Sequence, residues 1–429
     1  LPTQILEKGC DESDKMTRYQ RGIFYKRKSL NPLLDHFDVS RNSTFTAIFL
    51  SVRKGSSAIE VGKSLEKLWN MYSSLRPWRL SVLIGYGPRI FNLNGVKKAM
   101  PQHLNRQFLR PSRENRYILD GSSIRYSSSS PYNLGLGEDI MVQIISNTQL
   151  GTYNTIAETF KHLTLKNNEK TMKFSRFYTG FQRADGRSWL GFHDEISNLS
   201  SENERRKVIF IDPVTNDLKL RDHWTRGGTY LAFIRMEIDF LGWQKISPMR
   251  QELIVGRRKS NGMPLIGVDR MGRPQAIDKF KQITTVRMVR DHPDYFKIRR
   301  LHPDILKKLD VDKSMKILTQ SHVGRTRHMD RINSGNISSR RIYRQSFEFI
   351  EPLYTLKRRI RLGTNFVSFQ NDPARLFFIL TDPNWMGHTN FGGEPTSKSR
   401  NLTLLSVLAA GVFYVPPIEK PFPGASIFS

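Results

Sequence analysis

A chain of 429 residues with 38% hydrophobic positions and 26 Phe, 14 Tyr and 6 Trp can fill a large core, which excludes a disordered chain. Its one cysteine, Cys10, excludes intramolecular disulfides, cysteine-rich zinc sites and cofactors attached through Cys-x-x-Cys-His. Sixty-eight Lys and Arg against 39 Asp and Glu leave a net charge of +29, a field that attracts an anionic partner surface. That excess is scattered in short runs such as Arg257-Arg258-Lys259 and Lys357-Arg358-Arg359, without a basic tail, so nucleic-acid binding is not read as the main role.

Residues 1–16 are polar and read as peripheral. The β-branched and aromatic run Thr44 to Val52 predicts a strand, and Ile59, Val61, Leu65, Leu68 and Met71 predict a helix over Ser56 to Ser73. Leu80 to Ile84 reads as a strand ending at Gly85-Tyr86-Gly87-Pro88. A long Ser-, Arg- and Pro-rich connection (about 100–137) leads to a strand at Ile140 to Ile145 and a helix at Leu150 to Leu163. Strand–helix–strand–strand–helix is the order of a ferredoxin-like unit.

The order recurs. Gly228 to Met236 reads as a strand and Phe240 to Val255 as a helix, with strands at Arg341 to Ile350, Thr364 to Gln370 and Gly411 to Val415. Helical stretches are expected from about Asp372 and near Leu402. The fold class is therefore α+β, with two ferredoxin-like subdomains (antiparallel sheets with peripheral helices) at 17–174 and 228–429. A connector, 175–227, joins them, and a basic insertion lies at about 256–320. Leu402 to Val415 is the longest apolar stretch; it falls short of the roughly 20 residues of a spanning helix and reads as a buried helix–strand unit, so no transmembrane segment is expected. The chain opens at Leu1 without an initiator Met and without a signal-peptide pattern, so either a leader has been removed or the chain begins partway along. Asn-x-Ser/Thr sequons begin at Asn42, Asn198, Asn336 and Asn401, a number near chance for this composition, so the address is open between export, towards which the reading leans, and the cytoplasm.

Gly85-x-Gly87 follows a strand, but Ile90 stands where a dinucleotide motif needs glycine and Pro88 opposes a phosphate-binding helix start, so it reads as a turn. The signatures of P-loop NTPases, zincins and α/β-hydrolases do not occur in the chain.

Three polar residues remain: Asp194 in Gly191-Phe192-His193-Asp194, His322 in Ser321-His322-Val323, and Arg344 in Arg341-Ile342-Tyr343-Arg344. Alone, each has an ordinary reading: a solvated turn, a core or surface histidine, a solvated arginine. In this order and setting, the chain resembles the dye-decolourising-type haem peroxidases, whose Gly-x-x-Asp-Gly motif matches Gly191 to Asp194 and departs at Glu195. Leu80 to Phe91, Asp139 to Ile144, Trp224 to Met236, Gln251 to Leu265, Arg341 to Phe349, Asn365 to Pro373 and Gly411 to Pro417 also resemble that family, in order, over about residues 20–425.

The resemblance implies one haem b per chain with His322 as the axial iron ligand, a role neutral imidazole fills while leaving the opposite face open to peroxide. His328 is the local rival, and His193 faces the peroxide side or points away. A carboxylate can carry a proton between peroxide oxygens only when ionised, so activity should fall as Asp194 is protonated. Arg344 would stabilise the developing negative charge, with Arg340, Arg341, Arg325 and Arg327 as neighbouring alternatives. Glu195, Ile196, Ser197 and Asn198 belong to the cofactor-facing set. Arg325, Arg327 and Asn198 would meet the propionates, and Phe369 would pack on the porphyrin or fill the core.

The implied activity is hydrogen-peroxide-dependent oxidation of dyes, phenols or other one-electron donors through a ferryl/porphyrin-radical intermediate. Trp189, Trp224 and Trp243 are either electron relays or core residues. The resemblance also implies a homo-oligomer. Two other readings stand beside it: a haem-binding or deferrochelating protein, and a non-enzymatic polyanion-binding or structural protein on a peroxidase scaffold.

Overall fold

The computed structural model describes residues 43–75, 80–104, 118–120, 123–125, 138–165, 170–193, 198–199, 202–260, 262, 265–268, 274–276, 321–323, 342–355, 358–376, 390–391 and 403–429. The first half holds strands Thr44–Val52 (β1) and Ser81–Tyr86 (β2), a small hairpin of Ile118–Asp120 (β3) and Ser123–Arg125 (β4), then Ile140–Ser146 (β5) and Met172–Phe181 (β6). The second holds Thr229–Ile238 (β7), a small hairpin of Ile266–Val268 (β8) and Pro274–Ala276 (β9), then Tyr343–Thr355 (β10), Arg358–Gln370 (β11), Asn390–Phe391 (β12) and Thr403–Val415 (β13). Helices are Ala58–Ser74 (α1), Gln149–Leu165 (α2), Glu202–Ile209 (α3), Phe240–Gln244 (α4) and Pro248–Val255 (α5). Among the described residues, no helix is long and apolar enough to cross a membrane.

Both halves use one strand order. In the first, β2-β5-β1-β6 lie side by side; in the second, β10-β11-β7-β13 do, and all the pairings within these two sheets are antiparallel. Each is the ferredoxin-like arrangement expected from the sequence. Single pairs join the two sheets at both sides, Glu348 with Phe181 and Tyr414 with Tyr86, so eight strands close around a shared interior.

Side-chain alternation then gives each strand an inner and an outer face. Phe45, Phe49, Phe233, Phe347, Phe369 and Phe413 fill the interior, with Phe45 and Phe347 stacked at 4.4 Å. The outer face is covered by helices. Ser57 caps α1 in a reciprocal capping box with Glu60, and Val61, Leu65, Leu68 and Tyr72 turn inward over Ile48, Ile84 and Val142. In the second half, Trp243 of α4 and Ile254 and Val255 of α5 occupy the same outer layer as Ile234 and Val412.

Four expectations change. The helix read over Phe240 to Val255 is two helices, because Ser247 caps a new start and Pro248 opens it. The helical stretch near Leu402 is strand: β13 pairs with β7 from Leu405 to Val415. A strand buried on both faces lacks polar contrast, which hides its period. β6 escaped notice because Lys173, Ser175 and Arg176 interrupt its apolar residues, and it moves the start of the connector from 175 to beyond Phe181. Gly85 lies inside β2 rather than in a turn, and a Cβ there would come within 2.8 Å of Phe413 Cβ at the β2–β13 seam.

Gly180 tests the other seam. A Cβ at this position would lie 2.8 Å from Asn365 Nδ2 and 2.9 Å from Phe347 Cβ. Gly180→Ala should therefore destabilise the protein by about 1–3 kcal/mol, the usual cost of overpacking, read as a lower urea midpoint.

Candidate active site

Arg344 lies on β10 opposite Ser368, which lies opposite Ala232 on β7, which lies opposite Val412 on β13. Tyr343 and Phe369, one residue over, point into the shared interior, so Arg344 takes the outer face. Around it, Ile342 just before β10, Arg344 and Ser346 on β10 and Thr364 and Phe366 on β11 are half-buried, while the inward residues Tyr343, Gln345, Phe347, Val367 and Phe369 are buried. This half-open strip combines an arginine, two hydroxyls and an aromatic ring on one surface.

Phe369 consequently does not belong to the cofactor-facing set. It is fully buried in the interior with Phe45, Phe347 and Tyr343, on the opposite face from Arg344. Phe366, three residues earlier, takes the face proposed for it. Two strand positions an odd number apart must face opposite ways.

Asn198 also has another task. Its side-chain carbonyl accepts from the Arg344 N–H at 3.2 Å and its amide donates to the Arg344 carbonyl at 2.7 Å, so it occupies both polar groups of Arg344's peptide frame as a neighbouring strand would. These two bonds fasten Asn198 to the strand that bears Arg344 and use one of its two amide N–H donors. Asp194, Glu195, Ile196, Ser197, Arg325, Arg327, His328, Arg340 and Arg341 lie outside the described residues.

The approach to Asp194 is well held. Ser188 N–H donates to Phe192 and Gly191 N–H to Ser188, a turn for which Gly191 supplies φ +87°. The glycine thus serves the turn. Arg187 binds across it, donating to the carbonyls of Gly191 at 2.7 Å and Lys259 at 2.6 Å. Trp243 donates its indole N–H to Leu190 at 3.1 Å and packs beside Phe192. His193 is half-buried and forms a β-bridge with Arg187.

On the helix layer, α5 ends at Gly256 in the left-handed region, φ +78°. Ser321 and Val323, both buried, pack on this glycine: a Cβ there would lie 3.0 Å from Ser321 Cβ and 3.1 Å from Val323 Cβ. His322 between them is half-buried. The His322 segment therefore adjoins the end of α5, in the helix layer, and Arg344 lies on the sheet. Trp243 is completely buried, the core reading of that residue, whereas Trp189 and Trp224 are half-buried; Trp189 donates to the Phe349 carbonyl at 3.2 Å.

A half-buried histidine in the helix layer and a sheet strip with a cation and an aromatic ring are residue types that suit a flat apolar group carrying a metal and an anionic bound species. Among the described residues, no group of three His, Cys, Asp or Glu could hold a bare metal ion.

The fold is that of an α+β protein of two ferredoxin-like halves, and the candidate site residues belong to the second half and to the connector before it. The family model "Dyp-type peroxidase, C-terminal" matches residues 185–420, more than half of the chain, and the chain belongs to that family of peroxidases. In solved structures, the chain is similar to the DyP-type peroxidase from Cellulomonas bogoriensis, with 17% identity, 91% of this chain and 94% of that one covered, and a TM-score of 0.60. It is similar too to ferric DtpA from Streptomyces lividans, with 17% identity, 91% and 93% covered, and a TM-score of 0.62. A DypB variant from Rhodococcus jostii RHA1 in complex with heme shares 15% identity, with 88% and 94% covered and a TM-score of 0.55. The deferrochelatase of Escherichia coli (strain K12) is 29% identical over 135 residues, 30% of either chain. The chain thus spans about 30% of the length of the curated relatives it matches.

Ser346, Thr364 and Phe366 were missed in the sequence. Counting by twos from Arg344 reaches Ser346, but Thr364 and Phe366 need the β10–β11 register. Replacing Asn198 by Ala removes two hydrogen bonds and should cost about 1–3 kcal/mol, with faster amide exchange at Arg344. Urea unfolding and exchange mass spectrometry check both.

Proposed function

We propose that this chain is a haem b peroxidase that uses hydrogen peroxide to oxidise phenols, dyes or other one-electron donors. The observation that carries the reading is the half-open strip of Arg344, Ser346, Thr364 and Phe366, beneath the layer that holds His322. His322 would hold the haem iron, and Phe366 and Ser346, on the same strip as Arg344, would line the site. Haem, when bound, supplies the oxidising equivalents drawn from peroxide.

The residues of the chain would do the proton and charge work. Asp194 would accept a proton from one peroxide oxygen and return it to the other, which requires it to be ionised. Arg344, held in place by Asn198, would offset the negative charge that develops on the departing oxygen. The interior aromatic residues exclude water from the back of the sheet and keep that guanidinium on the outer side.

A second reading, removal of iron from haem, is favoured by the deferrochelatase match. It predicts free protoporphyrin as product, visible by its fluorescence. Under the peroxidase reading, Arg344→Leu and Asp194→Asn each slow the reaction with hydrogen peroxide by about 10²- to 10⁴-fold without preventing haem uptake. Stopped-flow absorbance with the haem-loaded proteins measures this. Wild-type rates in both variants would refute the assigned roles.

A further inference from the structure

Lys259 has contacts that simple packing does not require. Its ammonium hydrogen-bonds Gln251 Oε1 and lies 5.6 Å from the ring centre of Phe192 and 5.7 Å from that of Trp243. Its N–H donates to Glu252 Oε1 at 2.7 Å, and its carbonyl accepts from Arg187 at 2.6 Å. Ser260 accepts a further Arg187 bond at 3.2 Å. Gln251, itself buried, donates to the carbonyls of Trp243 and Ile246, which makes its Oε1 a fixed acceptor. Burial lowers the Lys259 pKa, with Glu252 acting in the opposite direction and Arg187 in the same one. An apolar side chain would fill this space without that desolvation cost, so the charge itself calls for an explanation.

Its position supplies one. A Cβ on Gly191 would lie 3.6 Å from Lys259 Nζ, and Gly191 is three residues before Asp194. Gly256, three residues before Lys259, is the seat of Ser321 and Val323 on either side of His322. The corner from Gly256 to Ser260 therefore touches both segments: the one leading to the proton-transfer carboxylate and the one bearing the iron ligand. We propose that Lys259 is a positioning residue that, with Arg187, clamps the Ser188–His193 turn to this corner and so sets the spacing between Asp194 and His322. The inference rests on the roles given above to Asp194 and His322. The ammonium reaches the turn through the ring face of Phe192, while Trp243 and Gln251 anchor it on the helix side; the attraction of its charge to the Phe192 ring is one that a neutral Met cannot supply.

The test compares the full-length wild type with Lys259→Met and Lys259→Arg. Amide exchange is measured first on the haem-free proteins. Lys259→Met should speed exchange across 188–193 by about tenfold and leave β2 unchanged, and Lys259→Arg should restore protection. With haem added, Lys259→Met should take up the same amount but react with hydrogen peroxide about 10- to 100-fold more slowly, with an altered Soret maximum, and Lys259→Arg should recover both. Unchanged exchange in Lys259→Met, or a loss that Lys259→Arg fails to rescue, overturns the proposal. A wild type that takes up no haem would sink the peroxidase reading instead, and the haem-free exchange comparison would still decide whether the clamp exists.

Discussion

Asn365 touches both halves of the molecule. Its side-chain carbonyl accepts from Arg235 on the neighbouring strand at 2.7 Å, and its amide donates across the seam to the Thr179 carbonyl of β6 at 2.8 Å. Arg235 is almost fully buried, bonds Glu351 at 2.6 Å and lies 3.5 Å from the ring centre of Phe349. Burial lowers its pKa, against the pull of Glu351. A buried guanidinium in this setting tolerates no slip of one residue, because a slip would turn it out of the interior and strand its partners. This polar bridge thus fixes which residues of β10 and β11 face inward. Arg344 and Phe366 face outward as the direct consequence.

From that constraint the site follows in layers. The outer strip of β10 and β11 carries the cation and the aromatic ring, the α4–α5 unit packs over the same sheet, and the left-handed end of α5 seats the histidine segment. Asn198 and Arg187 tie the intervening loop to sheet and helix layer respectively. Rigid elements thus hold each chemical group at its base, which is what a site needs when a misplacement of an ångström costs orders of magnitude in rate.

Much of this was legible in the sequence. The ferredoxin-like order in both halves followed from alternation and helical spacing, as with Thr44 to Val52 and the Val61–Leu65–Leu68 face. β13 was hidden because both of its faces are buried, and β6 because polar residues interrupt it. Site residues were legible only where a motif named them. Phe369 stayed open between porphyrin and core because apolarity says nothing of direction, and direction depends on a cross-strand register that the sequence does not carry; the structure gives the core. Asn198 was recognised as a hydrogen-bonding residue, but its bonds to the Arg344 backbone were not legible, since Arg344 lies 146 positions away. Lys259 looked like one member of a basic run, and only folding brings its ammonium against Phe192 and Trp243.

The central claim is that this chain binds haem through His322. Titrating haem into the purified protein and into His322→Ala, followed at the Soret band, tests it most directly. The account predicts saturation at one haem per chain in the wild type and a weakened, spectrally shifted complex in the variant. A wild type that shows no Soret band after reconstitution, or a variant spectrum identical to the wild type's, would contradict it.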